Sequence, residues 1–155
     1  MLWQLAASGW ALAVGVTDWR IQRIPNWLLL PGLLLAVIAT VGAGAPAGWR
    51  SALLAAGIAL ALLLPGYLLG KTGAGDVKCL MVMGACVGVV GVIELFLAAS
   101  VLFGAACAIR LMRQRAAVAG PALPERDPGL PMGPALVAGF LLVVWSGPLL
   151  MPGVA

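Results

Sequence analysis

Long apolar runs alternate with short polar or glycine-rich segments along the whole chain. Six runs stand out, at Leu2–Val16, Trp27–Val41, Ala52–Leu69, Val77–Ile93, Leu95–Ile109 and Met132–Met151. A membrane-spanning helix needs about 20 mainly apolar residues, so the chain has room for at most about seven crossings and no separate soluble domain. The pattern predicts an all-α bundle of about six transmembrane helices that forms a single domain over residues 1–155.

The composition agrees with that class of protein. Hydrophobic residues make up 63% of the chain, charged residues make up 9%, and the mean hydropathy is +1.12. Soluble domains carry about 25% charged residues, so this composition is typical of an integral membrane protein. The first run has no basic residue before it and no small-residue cleavage site before Asp18, which favours a retained helix over a cleaved signal peptide.

The basic residues indicate how the fourth and fifth runs are divided. If the chain turns near Gly91–Glu94, eight of the nine Lys and Arg residues lie on one side of the membrane and only Arg50 lies on the other. Because cytoplasmic loops are enriched in Lys and Arg, this asymmetry predicts a multi-pass membrane protein with both termini outside the cytoplasm. The eight residues on the cytoplasmic side are Arg20, Arg23, Lys71, Lys78, Arg110, Arg113, Arg115 and Arg126.

Two of the five acidic residues, Asp18 and Asp76, lie beside apolar runs at the predicted cytoplasmic side. Asp18 follows the first run and Asp76 begins the fourth, so the predicted topology places both acids at the cytoplasmic side. An acid inside a bilayer is costly, and we therefore expect Asp18 to face the bundle or a water-filled cleft. Each acid also has a simpler interpretation. Asp76 fits a helix N-cap, and Asp18 fits a boundary acid neutralised by Arg20 or Arg23.

Three segments resemble those of type IV prepilin peptidases, which are membrane aspartic proteases with a Gly-x-Gly-Asp motif. They are an acid followed by Ile-Pro-Asn at residues 18–28, a Gly-x-Gly-Asp-Val-Lys block that begins at Gly73, and a Pro-x-Gly-Pro block within residues 130–136. The three segments occur in the family's order over most of the chain. The resemblance implies an aspartic endopeptidase that removes the short basic leader of prepilins at the cytoplasmic membrane face.

The resemblance assigns the catalytic roles to Asp18 and Asp76. Two nearby carboxylates do not both ionise easily, so one proton stays with the pair, and no cofactor is needed. One acid takes a proton from water while the other gives one to the scissile carbonyl. Lys78 fits a snorkelling anchor better than a catalytic group. The residues that we assign to the substrate-binding and active-site loops are Gly73, Gly75, Lys78, Pro25, Asn26, Pro131, Gly133 and Pro134.

Departures from the family pattern indicate a subtype. The larger members carry an N-terminal region with paired Cys-x-x-Cys motifs, which this sequence lacks, so the resemblance implies no methyltransferase activity. The chain looks like the short peptidases of tight-adherence, Flp-type pilus systems, with archaeal preflagellin peptidases as a related alternative. Cys79, Cys86 and Cys107 lie in apolar runs without metal-ligand spacing, and we expect packing residues and no metal site.

Other functions fit parts of the pattern. A small transporter or channel also uses intramembrane acids, but near the midplane, and a non-catalytic pilus-assembly subunit would keep the fold without the activity. As a peptidase, the chain would contact the prepilin leader, the prepilin transmembrane segment and the lipid bilayer. Its basic residues track the ends of the runs, which suits lipid headgroups and not nucleic acid. The Pro- and Ala-rich segment Ala116–Pro131 is predicted to be a cytoplasmic loop.

Overall fold

The computed structural model describes residues 1–41, 48–117 and 131–147, and these residues form five helices and no strand. The helices are α1 (Leu2–Ile21), α2 (Asn26–Val41), α3 (Trp49–Leu68), α4 (Ala74–Ala117) and α5 (Gly133–Ser146). The predicted loop at residues 116–131 lies almost entirely outside the described residues. The prediction of an all-α fold from the apolar runs is confirmed.

The connection between α1 and α2 is short and defined by backbone hydrogen bonds. Gln22 follows α1 with φ 52° and ψ 29°, and its N–H donates to the carbonyl oxygen of Asp18 at 2.8 Å. A left-handed residue of this kind commonly ends a helix. Pro25 precedes α2, and its carbonyl oxygen accepts a hydrogen bond from the N–H of Leu28 at 3.0 Å. The chain therefore leaves α1 and enters α2 within a few residues.

α4 is broken at Gly88, where φ is 78° and ψ is −175°. Glycine adopts this conformation readily, whereas residues with a Cβ rarely do. In a continuous helix, Gly84 and Val92 would lie about 12 Å apart along the axis. Instead, a Cβ atom built at Gly84 would lie 2.7 Å from Cγ2 of Val92. The chain therefore reverses direction at Gly88 and leaves two helical segments, 74–87 and 89–117.

α1 and α5 pack side by side in opposite directions. The N–H of Gly133, the first residue of α5, donates to Oδ2 of Asp18 at 2.9 Å. At the opposite end of the pair, the side-chain amide of Gln4 donates to the carbonyl oxygen of Val144 at 3.1 Å. The end of the bundle that contains Asp18 is called the site end below, and the end that contains Gln4 is called the far end.

The other helices alternate in direction between these two ends. α2 and segment 74–87 both start at the site end, where Asn26 contacts Lys78, and run in parallel. α3 runs the other way. Its start lies at the far end, because the hydroxyl of Ser51 accepts a hydrogen bond from the N–H of Val89, just after the end of segment 74–87. Segment 89–117 returns to the site end, antiparallel to α5. The first and last described residues therefore both lie at the far end.

Trp10 joins three helices in the core. It belongs to α1, and its Nε1 donates a hydrogen bond to the carbonyl oxygen of Leu28 in α2 at 2.7 Å. A side chain at Gly32 of α2 would overlap with the indole ring. The same ring packs edge-on against Phe140 of α5, with ring centroids 6.2 Å apart. Buried aromatic pairs of this geometry add about 1 kcal/mol beyond the burial of their area.

The prediction of six membrane-spanning helices is wrong by length and composition. Within the described ranges, two stretches are long and apolar enough to cross a membrane, Trp49–Leu68 and Ala74–Gln114, and the reversal at Gly88 divides the second of them. α2 and α5 have 16 and 14 residues, or about 24 and 21 Å of helix, against a hydrocarbon core of about 30 Å. α1 has 20 residues but is less apolar, because it contains Gln4 and Asp18.

The predicted turn near Gly91–Glu94 is also displaced. The chain reverses at Gly88, and Glu94 lies inside segment 89–117 with 7% of its surface exposed. Glu94 is therefore a buried helical residue and not a turn or cap residue. Gly88 and Gly91 both lie in apolar surroundings. Of the two, only Gly88 has a positive φ, and the chain turns there.

Candidate active site

The three segments that resemble prepilin peptidases meet at the site end of the bundle. Asp18, from the first segment, contacts Gly133 from the third. A Cβ atom built at Gly75, in the second segment, would lie 3.2 Å from Cβ of Ile24 in the first. These contacts join residues from α1, from the α1–α2 connection, and from the first turns of α4 and α5. The helix directions of the bundle thus bring together segments that are far apart in the sequence.

Asp18 is held by a contact between helices. It lies in the last turn of α1 and only 4% of its surface is exposed. Its Oδ2 accepts the N–H of Gly133 at 2.9 Å, one of the N–H groups at the start of a helix that have no partner within that helix. A side chain at position 133 would overlap with the carboxylate. Asp18 therefore caps α5 from a neighbouring helix, and a glycine at position 133 makes room for it.

Asp76 is held by a local contact. Gly73 caps the start of α4, because its carbonyl oxygen accepts the N–H groups of Asp76 at 3.1 Å and Val77 at 3.3 Å. Oδ2 of Asp76 in turn accepts the N–H of Gly73 at 3.3 Å. This pattern is one half of a capping box, with the acid in the first turn reaching back to the cap residue. Asp76 is therefore not the N-cap itself, and its side chain is partly exposed.

The two carboxylates lie close enough for their negative charges to repel each other. They belong to helices that do not pack directly, since no Cα atom of α1 lies within 8 Å of one in the described part of α4. α2 and α5 each contact both of these helices. The thiol of Cys79 is fully buried. Two carboxylates whose charges interact titrate as a pair, and such pairs can divide the roles of acid and base.

Asn26 and Lys78 form a polar contact beside the acids. Nζ of Lys78 donates a hydrogen bond to Oδ1 of Asn26 at 3.1 Å. Asn26 is the first residue of α2, and Lys78 lies two positions after Asp76 in α4, so the contact ties the starts of these helices together. Both side chains are exposed at the site end, in agreement with a position at the boundary of the bundle.

The prolines and glycines assigned to the active-site loops have distinct positions. Pro134 lies in the first turn of α5, where a missing N–H has no cost, and Pro131 lies two residues before that helix. Pro25 caps α2 through its carbonyl oxygen. Gly73 is exposed, and Gly75 packs against the α1–α2 connection. The structure therefore gives these residues a role in shaping the ends of helices that carry or contact the acids.

Sequence reasoning missed two features of this site. Ile24 is 8% exposed, although it lies in a polar connection, and it fills the space beside Gly75. Its apolar side chain between Arg23 and Pro25 is the signal that could have revealed it. The direct bond between Asp18 and Gly133 was also not predicted, because it joins residues 115 positions apart.

The described residues contain no group of three His, Cys, Asp or Glu side chains that could hold a metal ion. Cys79 and Cys86 are buried, and Cys107 is partly buried; all three are free thiols.

Comparison with known proteins identifies one family. The sequence model of the type IV leader peptidase family matches residues 5–109, well over half of the chain. The matched range includes Asp18 and Asp76 and ends before α5. No curated protein and no solved structure matches the chain. The contact between Asp18 and Gly133 thus extends the site beyond the matched range.

Proposed function

Because the chain belongs to the type IV leader peptidase family, whose members are aspartic-type peptidases, we propose that it cleaves the leader peptide of Flp-like prepilins at the cytoplasmic face of the inner membrane. One observation carries the proposal. Asp18 and Asp76 lie 58 positions apart in the sequence, and the fold brings them within electrostatic reach of each other.

The hydrogen bonds of the two acids differ, and this difference supports an assignment of the base and acid roles. Asp18 accepts a short hydrogen bond from Gly133 at the start of α5, where the helix dipole stabilises negative charge. Asp76 accepts a longer bond, at 3.3 Å, from Gly73. In the proposed mechanism Asp18 starts as the carboxylate and acts as the base, and Asp76 carries the proton that the pair retains.

The proposed reaction proceeds without a covalent enzyme intermediate. Asp18 removes a proton from water, whose oxygen attacks the scissile carbonyl carbon, while Asp76 donates its proton to the carbonyl oxygen. The tetrahedral diol then collapses as the C–N bond breaks. The amine nitrogen takes the proton from Asp18, and a diol hydroxyl returns a proton to Asp76, so both acids recover their starting states.

We place the site end of the bundle at the cytoplasmic face of the membrane, with both termini on the other side. The directions of the helices support this placement, because they collect most basic residues of the described chain at the site end. Cytoplasmic ends are enriched in Lys and Arg. The basic residues at the site end are Arg20, Arg23, Lys71, Lys78, Arg110 and Arg113, and Arg50 lies at the far end.

Co-expression with an epitope-tagged Flp-type prepilin from the same genome tests the proposal. We expect the chain to shorten the prepilin, and we expect Asp18→Asn and Asp76→Asn to abolish shortening at unchanged membrane levels. Glu94→Gln is the matched control, because it makes the same change at a buried acid outside the site. Normal shortening by either aspartate variant would overturn the pairing. No shortening by the unaltered chain would favour a transporter or a non-catalytic subunit.

A further inference from the structure

An apolar groove runs along one side of the bundle, between α2, α3 and segment 74–87. Its volume is about 580 Å³. At the site end it begins at Asn26 and Lys78, and at the far end it reaches Thr40 and Trp49. The distance from residue 26 to residue 40 of a helix is about 21 Å, so the groove is long enough to lie beside several helical turns.

The lining of the groove combines a small-residue floor with apolar walls. The floor contains four alanines, one or two from each of the three helices, and the walls include Leu33 and Leu53. Small residues let another helix approach closely in a membrane, where association depends on packing. The four alanines are Ala36, Ala52, Ala56 and Ala85.

Lys78 makes the two ends of the groove different in charge. It is the one charged residue among those that line the groove, and its ammonium group bonds to the neutral amide of Asn26 and to no carboxylate within the described chain. A cation with a neutral partner at the boundary of a bilayer favours an occupant that supplies a negative charge. Lys78 lies about 3 Å along the helix axis from Asp76, so that charge would lie close to the acids.

We propose that this groove binds the apolar transmembrane segment of the prepilin as a helix, with a carboxylate of that segment facing Lys78 a few residues from the scissile bond. The inference rests on the proposed peptidase function and adds the surface that holds the substrate. Continuity supports it, because the groove ends on the same helical turn that carries Asp76. An apolar helix laid in an apolar groove is a common mode of recognition.

Photo-crosslinking at neighbouring positions tests the occupant. The probe, benzoylphenylalanine, replaces Leu33 or Leu34 of α2 in the Asp76→Asn variant, which retains uncleaved prepilin. The two leucines are similarly exposed, at 51% and 60%, but only Leu33 lines the groove. We expect the tagged prepilin to crosslink at position 33 at least about tenfold more than at position 34. Equal crosslinking, lipid adducts alone at position 33, or a crosslink to a second copy of the chain would overturn the inference.

A second arm separates this inference from the proposed function. Ala56→Leu fills the groove, whereas Ala61→Leu adds the same atoms to an exposed position of α3 that does not line it. We expect Ala56→Leu to slow prepilin shortening about tenfold and Ala61→Leu to change it less than twofold. If the unaltered chain shortens the prepilin and Ala56→Leu does so at the same rate, the groove inference fails alone. If the unaltered chain shortens no prepilin, the proposed function fails.

Discussion

Asp18 and Asp76 differ in what holds them in place. Asp18 is almost fully buried and is fixed by a hydrogen bond between helices, whereas Asp76 is partly exposed and is fixed by a bond to a residue three positions away. The first acid depends on the packing of α1 against α5, and the second depends on the loop before α4. In such a pair, one acid is built into the core and the other is partly accessible from outside the bundle.

Removing each carboxylate is expected to have the largest effect and to separate the two halves. Asp18→Ala and Asp76→Ala both lose the proposed acid–base function, and a function of this kind contributes about 10²–10⁴-fold to a rate. Only Asp18→Ala leaves a buried N–H, that of Gly133, without an acceptor, at a cost of about 1–3 kcal/mol. Thermal unfolding in detergent measures the difference. A lower unfolding temperature for Asp76→Ala than for Asp18→Ala would contradict the comparison.

Adding a methyl group next to each acid is expected to have the next largest effect. In Gly133→Ala the new Cβ overlaps with the Asp18 carboxylate, so we expect a destabilisation of about 1–3 kcal/mol and a clear loss of prepilin shortening. In Gly73→Ala the new Cβ lies 3.4 Å from Oδ2 of Asp76, an ordinary contact, and we expect little change. Equal effects of the two variants on the shortening rate would show that the two acids are held alike.

Removing the charge of Lys78 tests whether substrate reaches the pair from the side of Asp76. We expect Lys78→Gln to raise the KM for prepilin about three- to tenfold, equivalent to about 0.7–1.4 kcal/mol, with kcat and the unfolding temperature nearly unchanged. Lys78→Arg keeps the charge and is expected to restore much of the affinity. Lys71→Gln is the control, since Lys71 is an exposed cation nearby that does not line the groove. A loss confined to kcat would place Lys78 in the chemistry instead.

The smallest effect is expected at Gly75. A Cβ atom there would lie 3.2 Å from Cβ of Ile24, so the α1–α2 connection has to shift by a few tenths of an ångström. We expect Gly75→Ala to cost less than about 1 kcal/mol in unfolding free energy and to slow prepilin shortening less than threefold. A loss of stability and of shortening rate as large as that of Gly133→Ala would mean that the surroundings of Asp76 are packed as tightly as those of Asp18.

The sequence predicts the all-α fold and the shared position of the two acids, but it does not predict the contact between Asp18 and α5. Apolar runs predict helices because a helix satisfies its own backbone hydrogen bonds, and the all-α fold follows. The positions of Asp18 and Asp76 at the edges of two runs predict that they share one end of the bundle. The third segment was linked to them through resemblance alone, and its contact with Asp18 needed the packing of α5 on α1.

The errors in the sequence analysis concern length and turns. The run at Trp27–Val41 ends at the same residue as α2 and is itself too short to span a bilayer, whereas α5 ends at Ser146, before the end of its run. The reversal falls at Gly88 and not at Gly91–Glu94. A polar loop would have marked the reversal, but none exists there. The apolar side chain of Ile24 indicates that it is buried, but its contact with Gly75 could not be predicted, because the two residues are 51 positions apart.

The reversal at Gly88 has a consequence for how the chain enters a membrane. Its two segments are joined without a polar linker, and the N–H of Val89 bonds to the hydroxyl of Ser51 at 3.3 Å instead of to water. We expect segments 74–87 and 89–117 to be inserted together as one hairpin during biosynthesis, since neither exposes a loop that could be translocated separately. A reporter tag placed at this turn would then disrupt insertion itself, whereas a tag at either terminus would not.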